Sequence, residues 1–248
     1  AEGSGALASL TARFPGEQGP FIDEPDGLQG LSVLLLGAGC AGRALAWHLA
    51  EAVGTGCLYL ANRTVEKAQD LCDRLRGSAR SVSWVEEAAI DSIAPHVHLI
   101  VNATNKGQSG FWTLADGTVT CLEPYSSLAP ANPVSLPADS AKDVPQFYNQ
   151  WYRASLPDIF LNRDRSALVL ATLPARVRLV DLTVSPMESV MLRQARMAGH
   201  RTMGGKGPQI CQTAEAFFHW IFRDYLEETG RYQPSFYQTI LNRLWEVC

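Results

Sequence analysis

The sequence predicts an α/β fold, a doubly wound parallel sheet with helices on both faces in three αβα layers. Apolar segments of strand length alternate with helical segments over residues 31–104. This alternation is typical of parallel sheets, in which a helix returns the chain to the start of the next strand. The strands are continuous apolar runs, as expected where helices cover both faces.

The first half of the chain supplies four predicted strands and the helices between them. Residues 6–13 are predicted to form a short helix, which a turn-rich segment follows. Thr64 is the predicted N-cap of a later helix, and Glu66 lies in its first turn, where the helix dipole favours an acid. Strands are predicted at 31–36, 56–63, 81–85 and 96–104, with helices at about 40–53, 64–76 and 86–93.

The second half is less regular. Residues 106–158 are rich in proline, and we predict a long loop or small excursion, which in a compact domain is usually functional or disordered. A helix is predicted at 208–225 with Pro208 at its N1 position. Its predicted apolar face consists of Ile210, Ala214, Phe217 and Ile221. The other elements predicted here are a strand at 175–184 and helices at 187–198 and 234–247.

The composition excludes several classes of protein. Hydrophobic residues make up 46% and charged residues 19%, which is typical of a globular protein. The net charge of −4 and the lack of a Lys/Arg run argue against nucleic-acid binding. No apolar run approaches the roughly 20 residues of a membrane helix. The six cysteines form no C-x-x-C pair, which favours the cytoplasm. His96 and His98 lack a third ligand, so no metal site is predicted.

A glycine-rich turn follows the first predicted strand. Gly37-x-Gly39-x-x-Gly42 matches the G-x-G-x-x-G pattern between a strand and a helix. The first glycine permits the tight turn, the second allows a pyrophosphate to approach, and the third lets helix and strand pack closely. We predict a dinucleotide site here; the alternative is a packing turn that binds nothing. The predicted phosphate-binding residues are Gly37, Ala38, Gly39, Cys40, Ala41 and Gly42.

The end of the second strand favours NADP over NAD. An NAD site usually has an acid there for the ribose 2′-hydroxyl, whereas this strand ends in Asn62-Arg63-Thr64. Arg63 can stack on adenine or bind a 2′-phosphate, and Lys67 follows one turn later. The alternative is an ordinary solvated arginine beside a helix cap.

With these motifs in order, the chain resembles the NADP-binding half of the shikimate/quinate dehydrogenase family. A glutamyl-tRNA reductase-like domain shares the first two segments but not the last. The five segments that carry the resemblance are GAGCAGRA (37–44), NRTVEKA (62–68), NATNKG (102–107), DLTVSP (181–186) and GKGPQICQTAEAFFHW (205–220).

The resemblance implies roles for further residues. Asn102, Ala103 and Thr104 would line the nicotinamide ribose. Leu182 and Gly205 would lie against the nicotinamide. Gln212 would reach a substrate hydroxyl, although a polar helix face can equally face water. The implied reaction is reversible hydride transfer between NADP(H) and a carbon of a cyclic polyol carboxylate of the shikimate or quinate class.

The substrate side departs from the family pattern. The family's catalytic lysine belongs to an N-terminal substrate domain that this chain lacks, so we expect a piece of a longer protein. Glu2 aligns with the family's catalytic aspartate, and Val184 replaces its substrate-binding tyrosine. The sequence therefore predicts either a dehydrogenase half with altered substrate choice or a regulatory module that has lost catalysis, as in fungal quinate-pathway repressors. We expect the isolated chain to bind NADPH but to turn over shikimate poorly or not at all.

The predicted domain organisation has three parts. Residues 1–30 form a junction helix and linker, and 228–248 a C-terminal helix. Between them, 31–227 form a Rossmann-like NADP-binding domain with a long insertion at about 108–170. Four aromatic residues of the insertion are predicted to pack, with a lid or partner surface as the alternative: Trp112, Tyr148, Trp151 and Tyr152.

Overall fold

A single parallel sheet organises the chain and confirms the predicted fold class. The computed structural model describes residues 2–17, 19–76 and 81–247, with Glu2 described by its backbone alone. The strands are β1 (Ser32–Leu36), β2 (Cys57–Asn62), β3 (Val82–Glu86), β4 (Leu99–Asn102), β5 (Phe111–Thr113), β6 (Val119–Cys121), β7 (Arg178–Asp181) and β8 (Thr202–Met203). Six of them form the sheet in the order β3-β2-β1-β4-β7-β8, with every pair parallel, while β5 and β6 form an antiparallel hairpin.

Helices cover both faces of the sheet, as predicted. The helices are α1 (Glu2–Thr11), α2 (Cys40–Val53), α3 (Val65–Leu75), α4 (Ile90–Ile93), α5 (Val144–Thr172), α6 (Val190–Met197), α7 (Lys206–Glu215), α8 (Arg223–Glu228) and α9 (Pro234–Val247). One core cluster joins α1, α2 and α3 to one face of the sheet. A second cluster joins α4, α5 and α6 to the opposite face. Apart from short shifts of their ends, the elements predicted before residue 106 are present.

The strand register brings four strand ends to one edge of the sheet. Leu36 pairs with Ala61 on one side and with Asn102 on the other, and Asn102 pairs with Asp181. The loops that follow these strands therefore lie side by side. In an open parallel sheet, ligands bind at this carboxyl edge, where the strand order reverses.

Residues 106–158 form a small excursion with its own elements, the second of the two predicted alternatives, rather than a long loop. The segment contains the β5–β6 hairpin and a 3-10 turn, and α5 begins inside it. Pro145 lies in the first turn of α5, where no backbone N–H is required, and the Asp143 side chain caps the helix by accepting from Gln146 N–H at 3.1 Å. The helix continues through Pro157. The prolines made this helix look like a loop in sequence, because Pro145 lies in its first turn and Pro157 is tolerated inside it.

The insertion has a core of its own, in which Trp151 and Tyr148, two of the four aromatic residues predicted to pack, do so. Trp151 and Phe147 are fully buried against the hairpin, and Tyr148 packs on the same cluster. The Trp151 indole N–H donates to the Val134 carbonyl at 2.7 Å. Tyr152, by contrast, is exposed. A buried tryptophan whose N–H is paired is a stabilising contact rather than a free surface.

The helix predicted at 208–225 differs from the observed one. It begins at Lys206, with Gly205 as N-cap, so Pro208 is its third residue rather than its first. A π turn at Ala216–Ile221 then interrupts it. The extra residue in that turn rotates the predicted apolar face, so Ile221 is 68% exposed although Ile210 and Ala214 are buried. Among the helices of the described residues, none has the length and apolar character needed to cross a membrane.

Candidate cofactor site

The glycine turn between β1 and α2 has the geometry of an anion cradle. Gly37 adopts a φ of +105°, and a Cβ there would lie 2.8 Å from the Ala103 carbonyl oxygen. A Cβ on Gly42 would overlap the Gly37 carbonyl oxygen. A Cβ on Gly39 would meet nothing within 4 Å, so the space beside it is open. Gly39 is the N-cap of α2, whose free N–H groups favour an anion in that space.

Asn62 ties the end of β2 to the glycine turn. Its side-chain oxygen accepts from the Ala38 N–H at 3.0 Å, and its amide donates to the Thr64 carbonyl at 2.8 Å. Arg63 is thereby held at the mouth of the turn, where it is exposed. Thr64 is the N-cap of α3 as predicted, but its side chain makes no capping bond.

A cavity of about 200 Å³ lies at the carboxyl ends of β1, β2 and β4. Of the predicted residues, six line it: Gly37, Gly39, Asn62, Arg63, Ala103 and Thr104. Five other residues line it that the sequence did not predict: Glu87, Asn105, Lys106, Leu122 and Ala131. Lys67, by contrast, is exposed on α3. It is not among the described residues that line this cavity.

Lys106 connects three parts of the molecule beside this cavity. Its amino group pairs with the Glu87 carboxylate, which follows β3, and donates to the Ala129 carbonyl of the insertion. The lysine side chain is buried, and burial lowers the pKa of its amino group, although Glu87 opposes that shift. A buried ion pair of this kind fixes the relative positions of the segments that it joins, because breaking it would leave an unpaired buried charge. The insertion is therefore anchored to the sheet edge.

The ends of β4 and β7 are joined by a buried polar network. The Asn102 amide donates to the Asp181 carboxylate at 2.9 Å, and Asn102 accepts from the Thr104 hydroxyl at 2.7 Å. Ser189 donates to the other Asp181 oxygen at 2.6 Å. Burial raises the pKa of the Asp181 carboxyl, and its hydrogen bonds oppose that effect. Asn102 thus orients the loop containing Ala103 and Thr104 rather than facing the cavity itself.

A second cavity, of about 240 Å³, lies on the other side of the glycine turn. Gly205 packs closely there, since a Cβ on it would lie 2.5 Å from the Thr183 carbonyl oxygen. Val184 is 45% exposed at this cavity. The predicted residues that line it are Ala41, Leu182, Val184, Gly205 and Gln212. Three residues that were not predicted also line it: Ala6, Pro208 and Gln209. The glycine turn therefore separates two cavities, which suits an elongated ligand that crosses it.

Close helix packing brings the start of the chain to the second cavity. A Cβ on Gly3 would overlap the Ala44 carbonyl of α2, and a Cβ on Gly5 would overlap the Gln212 backbone of α7. Both positions therefore require glycine. The predicted catalytic residue, Glu2, has its side chain outside the described residues.

His96 and His98, which were predicted to start a strand, lie just before β4. His98 precedes β4, and its Nδ1 accepts from the Ser32 N–H at 3.1 Å. His96 ends a 3-10 turn rather than starting a strand. His98 thus has a structural role at the opposite edge of the sheet from the cavities.

Comparison with known proteins agrees with these motifs. Residues 23–110 match the family model described as Shikimate / quinate 5-dehydrogenase. A shikimate dehydrogenase (NADP(+)) from Nitrobacter winogradskyi is 28% identical over 188 residues, which cover 76% of this chain and 47% of the relative. One from Moorella thermoacetica is 29% identical over 226 residues, covering 90% and 55%. The chain spans about half the length of the curated relatives it matches.

Solved structures share the fold. Shikimate 5-dehydrogenase from Listeria monocytogenes, in complex with shikimate and NAD, superposes with a TM-score of 0.57 at 16% identity, covering 92% of this chain and 62% of that one. Its counterpart from Thermus thermophilus, in complex with NADP(H) and shikimate, gives 0.53 at 22% identity, with coverage of 98% and 62%. These likenesses show the fold alone. In sequence, this chain is similar to the shikimate/quinate dehydrogenase family over residues 23–110 and to its curated NADP(+)-dependent members at 28–29% identity.

Proposed function

We propose that this chain is the NADP-binding half of a shikimate/quinate dehydrogenase-like oxidoreductase. The reaction would transfer a hydride to or from a carbon of a cyclic polyol carboxylate. The observation that carries the proposal is the glycine turn, in which Gly39 leaves a Cβ-sized space open while Gly37 and Gly42 have none. NADP, when bound, supplies the hydride chemistry, and the chain's own residues bind and orient it.

The residues present fit that cofactor. The α2 N-terminus and Gly39 would hold the diphosphate, and Arg63 with Asn62 would hold the adenosine end. Leu182 and Gly205 would form the wall at the nicotinamide end. Gln212, at the same cavity as Leu182, would donate or accept a hydrogen bond at a substrate hydroxyl. In the relatives, the part this chain does not span would correspond to the substrate domain, which we propose as a partner of the site.

Titration of the full chain with NADPH and with NADH tests the cofactor proposal. We expect tighter binding of NADPH, because Arg63 matches a 2′-phosphate and the end of β2 has no acid. Arg63→Ala should weaken NADPH by about tenfold or more and NADH far less. Equal affinity of the unmodified chain for both dinucleotides would refute the preference.

A second candidate is a regulatory module that binds the dinucleotide without catalysis. Val184 favours it, because a half-exposed valine cannot make the hydrogen bond of the tyrosine expected there. A shikimate- or quinate-dependent NADPH assay separates the two candidates, with the longest available form of the protein. Turnover supports the enzyme; dinucleotide binding without turnover of either substrate supports the regulator. A cytoplasmic location stays a prediction under both.

A further inference from the structure

The side chain of Arg43 reaches back from α2 to the glycine turn. Its Nε donates to the Ala38 carbonyl oxygen at 3.2 Å, and its Nη2 lies 3.7 Å from the Asp70 carboxylate on α3. Arg43 is not among the described residues that line either cavity beside the turn. Its direct contact with the candidate site is therefore through the backbone of the turn.

Two side chains hold two successive peptides of this turn. Asn62 accepts from the Ala38 N–H at 3.0 Å and so fixes the Gly37–Ala38 peptide. Arg43 fixes the next peptide, Ala38–Gly39, by its carbonyl oxygen. The N–H and the C=O of a trans peptide point in opposite directions, so the Gly39 N–H is directed away from Arg43. No described residue accepts a hydrogen bond from that N–H, which leaves it available to a ligand.

The Ala38–Gly39 peptide has few other restraints. A residue without a Cβ adopts positive φ about as readily as negative φ, so Gly39, at a φ of −77°, does little to oppose a rotation of this peptide. The open space beside Gly39 offers no packing against such a rotation. A rotated peptide would present the Ala38 carbonyl oxygen to an anion in place of the Gly39 N–H, and an attractive contact would become a repulsive one.

We propose that Arg43 is a positioning residue of the diphosphate turn, which keeps the Ala38–Gly39 peptide oriented with its N–H toward the ligand. The proposal rests on the proposed dinucleotide-binding function and adds to it a residue that does not touch the dinucleotide. Arg43 acts through the donor at Nε rather than through its charge, since Asp70 lies beside the guanidinium and offsets that charge. Because NADPH and NADH have the diphosphate in common, loss of this donor should weaken both equally.

Two substitutions of similar shape separate the donor from the charge. A glutamine places an amide nitrogen, and a methionine a methyl carbon, at the position along the side chain that Nε occupies in arginine. Arg43→Met should weaken the binding of NADPH and of NADH by about tenfold each in calorimetric titration of the full chain, while their ratio stays within about twofold. Arg43→Gln should stay within about threefold of the unmodified chain for both.

Arg74→Met is the matched control. Arg74 lies on α3 and pairs with the same Asp70 at 3.0 Å, so its substitution removes an equal charge from the same group of ion pairs without touching the turn. Its dinucleotide binding should stay within about twofold of the unmodified chain. Equal weakening by Arg43→Met and Arg43→Gln would assign the effect to charge and overturn the proposal. Binding by Arg43→Met that matches the control would overturn it as well.

A measurement without cofactor separates this inference from the proposed function. If the unmodified chain binds neither dinucleotide, the proposed function fails, but the orientation of the Ala38–Gly39 peptide can still be followed by the amide resonance of Gly39 in nitrogen-labelled protein. That resonance should shift in Arg43→Met and keep its position in Arg43→Gln and in Arg74→Met. An unchanged Gly39 resonance in Arg43→Met would show that Arg43 does not hold the peptide.

Discussion

Two glycines of one turn are expected to respond oppositely to the same substitution. Gly39→Ala adds a methyl group in open space at an ordinary backbone conformation, so stability should change by less than about 0.5 kcal/mol while dinucleotide binding falls. Gly42→Ala forces the methyl onto the Gly37 carbonyl and should cost about 2 kcal/mol or more. Urea denaturation and NADPH titration of both variants measure the contrast. Undiminished NADPH binding by Gly39→Ala would contradict an anion cradle at this turn.

Cys40 offers a chemical test of the same turn. It is exposed, whereas Cys72 and Cys121 are buried and burial raises the pKa of each thiol to about 11. Iodoacetamide should therefore label Cys40 well before those two, because the thiolate is the reacting form. Saturating NADPH should slow the labelling of Cys40, followed by peptide mass spectrometry. Half-buried Cys57, at the other end of β2, serves as the internal reference.

Asp181 should make stability depend on pH. Because burial raises the pKa of its carboxyl, the unfolded chain releases this proton at a lower pH than the folded protein does. The protonated Asp181 carboxyl therefore contributes to the free energy of unfolding below the ordinary carboxyl pKa. That contribution is lost as pH rises through the raised pKa of the folded protein. The stability difference between the unmodified chain and Asp181→Asn should decline with pH. Urea denaturation from about pH 4 to about pH 8 measures it; a constant difference would contradict the shift.

The sequence predicted those site residues whose type is dictated by local backbone geometry. Gly37, Gly42 and Asn62 belong to short motifs, in which a turn and its neighbour lie a few residues apart. Lys106 and Glu87 were not predicted as partners, since they follow different strands and meet only through the register of the sheet. No spacing along the chain could have joined them.

At the scale of elements, Asn162 joins α5 to residues 126–130 within the insertion. It is buried on α5 and accepts from the Ser126 N–H at 2.8 Å, and the two N–H groups of its amide are shared among the Ser126, Ala129 and Pro130 carbonyls, each 3.0 Å from Nδ2. Asn162→Ala leaves the Ser126 N–H and the Ser126 and Pro130 carbonyls without these partners, while the Ala129 carbonyl keeps Lys106, and should lower the free energy of unfolding by about 2–3 kcal/mol. Asn149→Ala, on the exposed side of the same helix, should change it little. Equal losses in denaturant titrations would show that the amide is not the fastening point.

The insertion is also where sequence-based prediction of elements failed. A helical period was hidden because the buried positions of α5 include Ser155, Asn162 and Ser166, which read as polar. Their partners lie on other segments: Ser166, for example, donates to the Gln194 side chain on α6 at 2.7 Å. Polar residues that are buried through distant hydrogen bonds give no apolar periodicity, so such a helix looks like a loop.

For the whole molecule, the fold was predictable because its sheet is covered on both faces. Such strands are unbroken apolar runs, and the helices between them have one apolar side, so the β-α-β order is visible in sequence. The position of the insertion in space was not visible. It depends on Lys106, which brings the Ala129 carbonyl to the sheet edge. The division into three domains therefore stays a prediction.

The Lys106–Glu87 pair and Arg63 differ in how they should respond to ionic strength. The pair is buried, so dissolved ions screen it little, whereas Arg63 is exposed and at about 0.1 M salt its field extends only about 10 Å. Added salt should therefore weaken the attraction of Arg63 for an anionic ligand while leaving the insertion fastened in place. This one edge of the sheet thus combines an anchor that is insensitive to salt with a cation whose attraction is tuned by it.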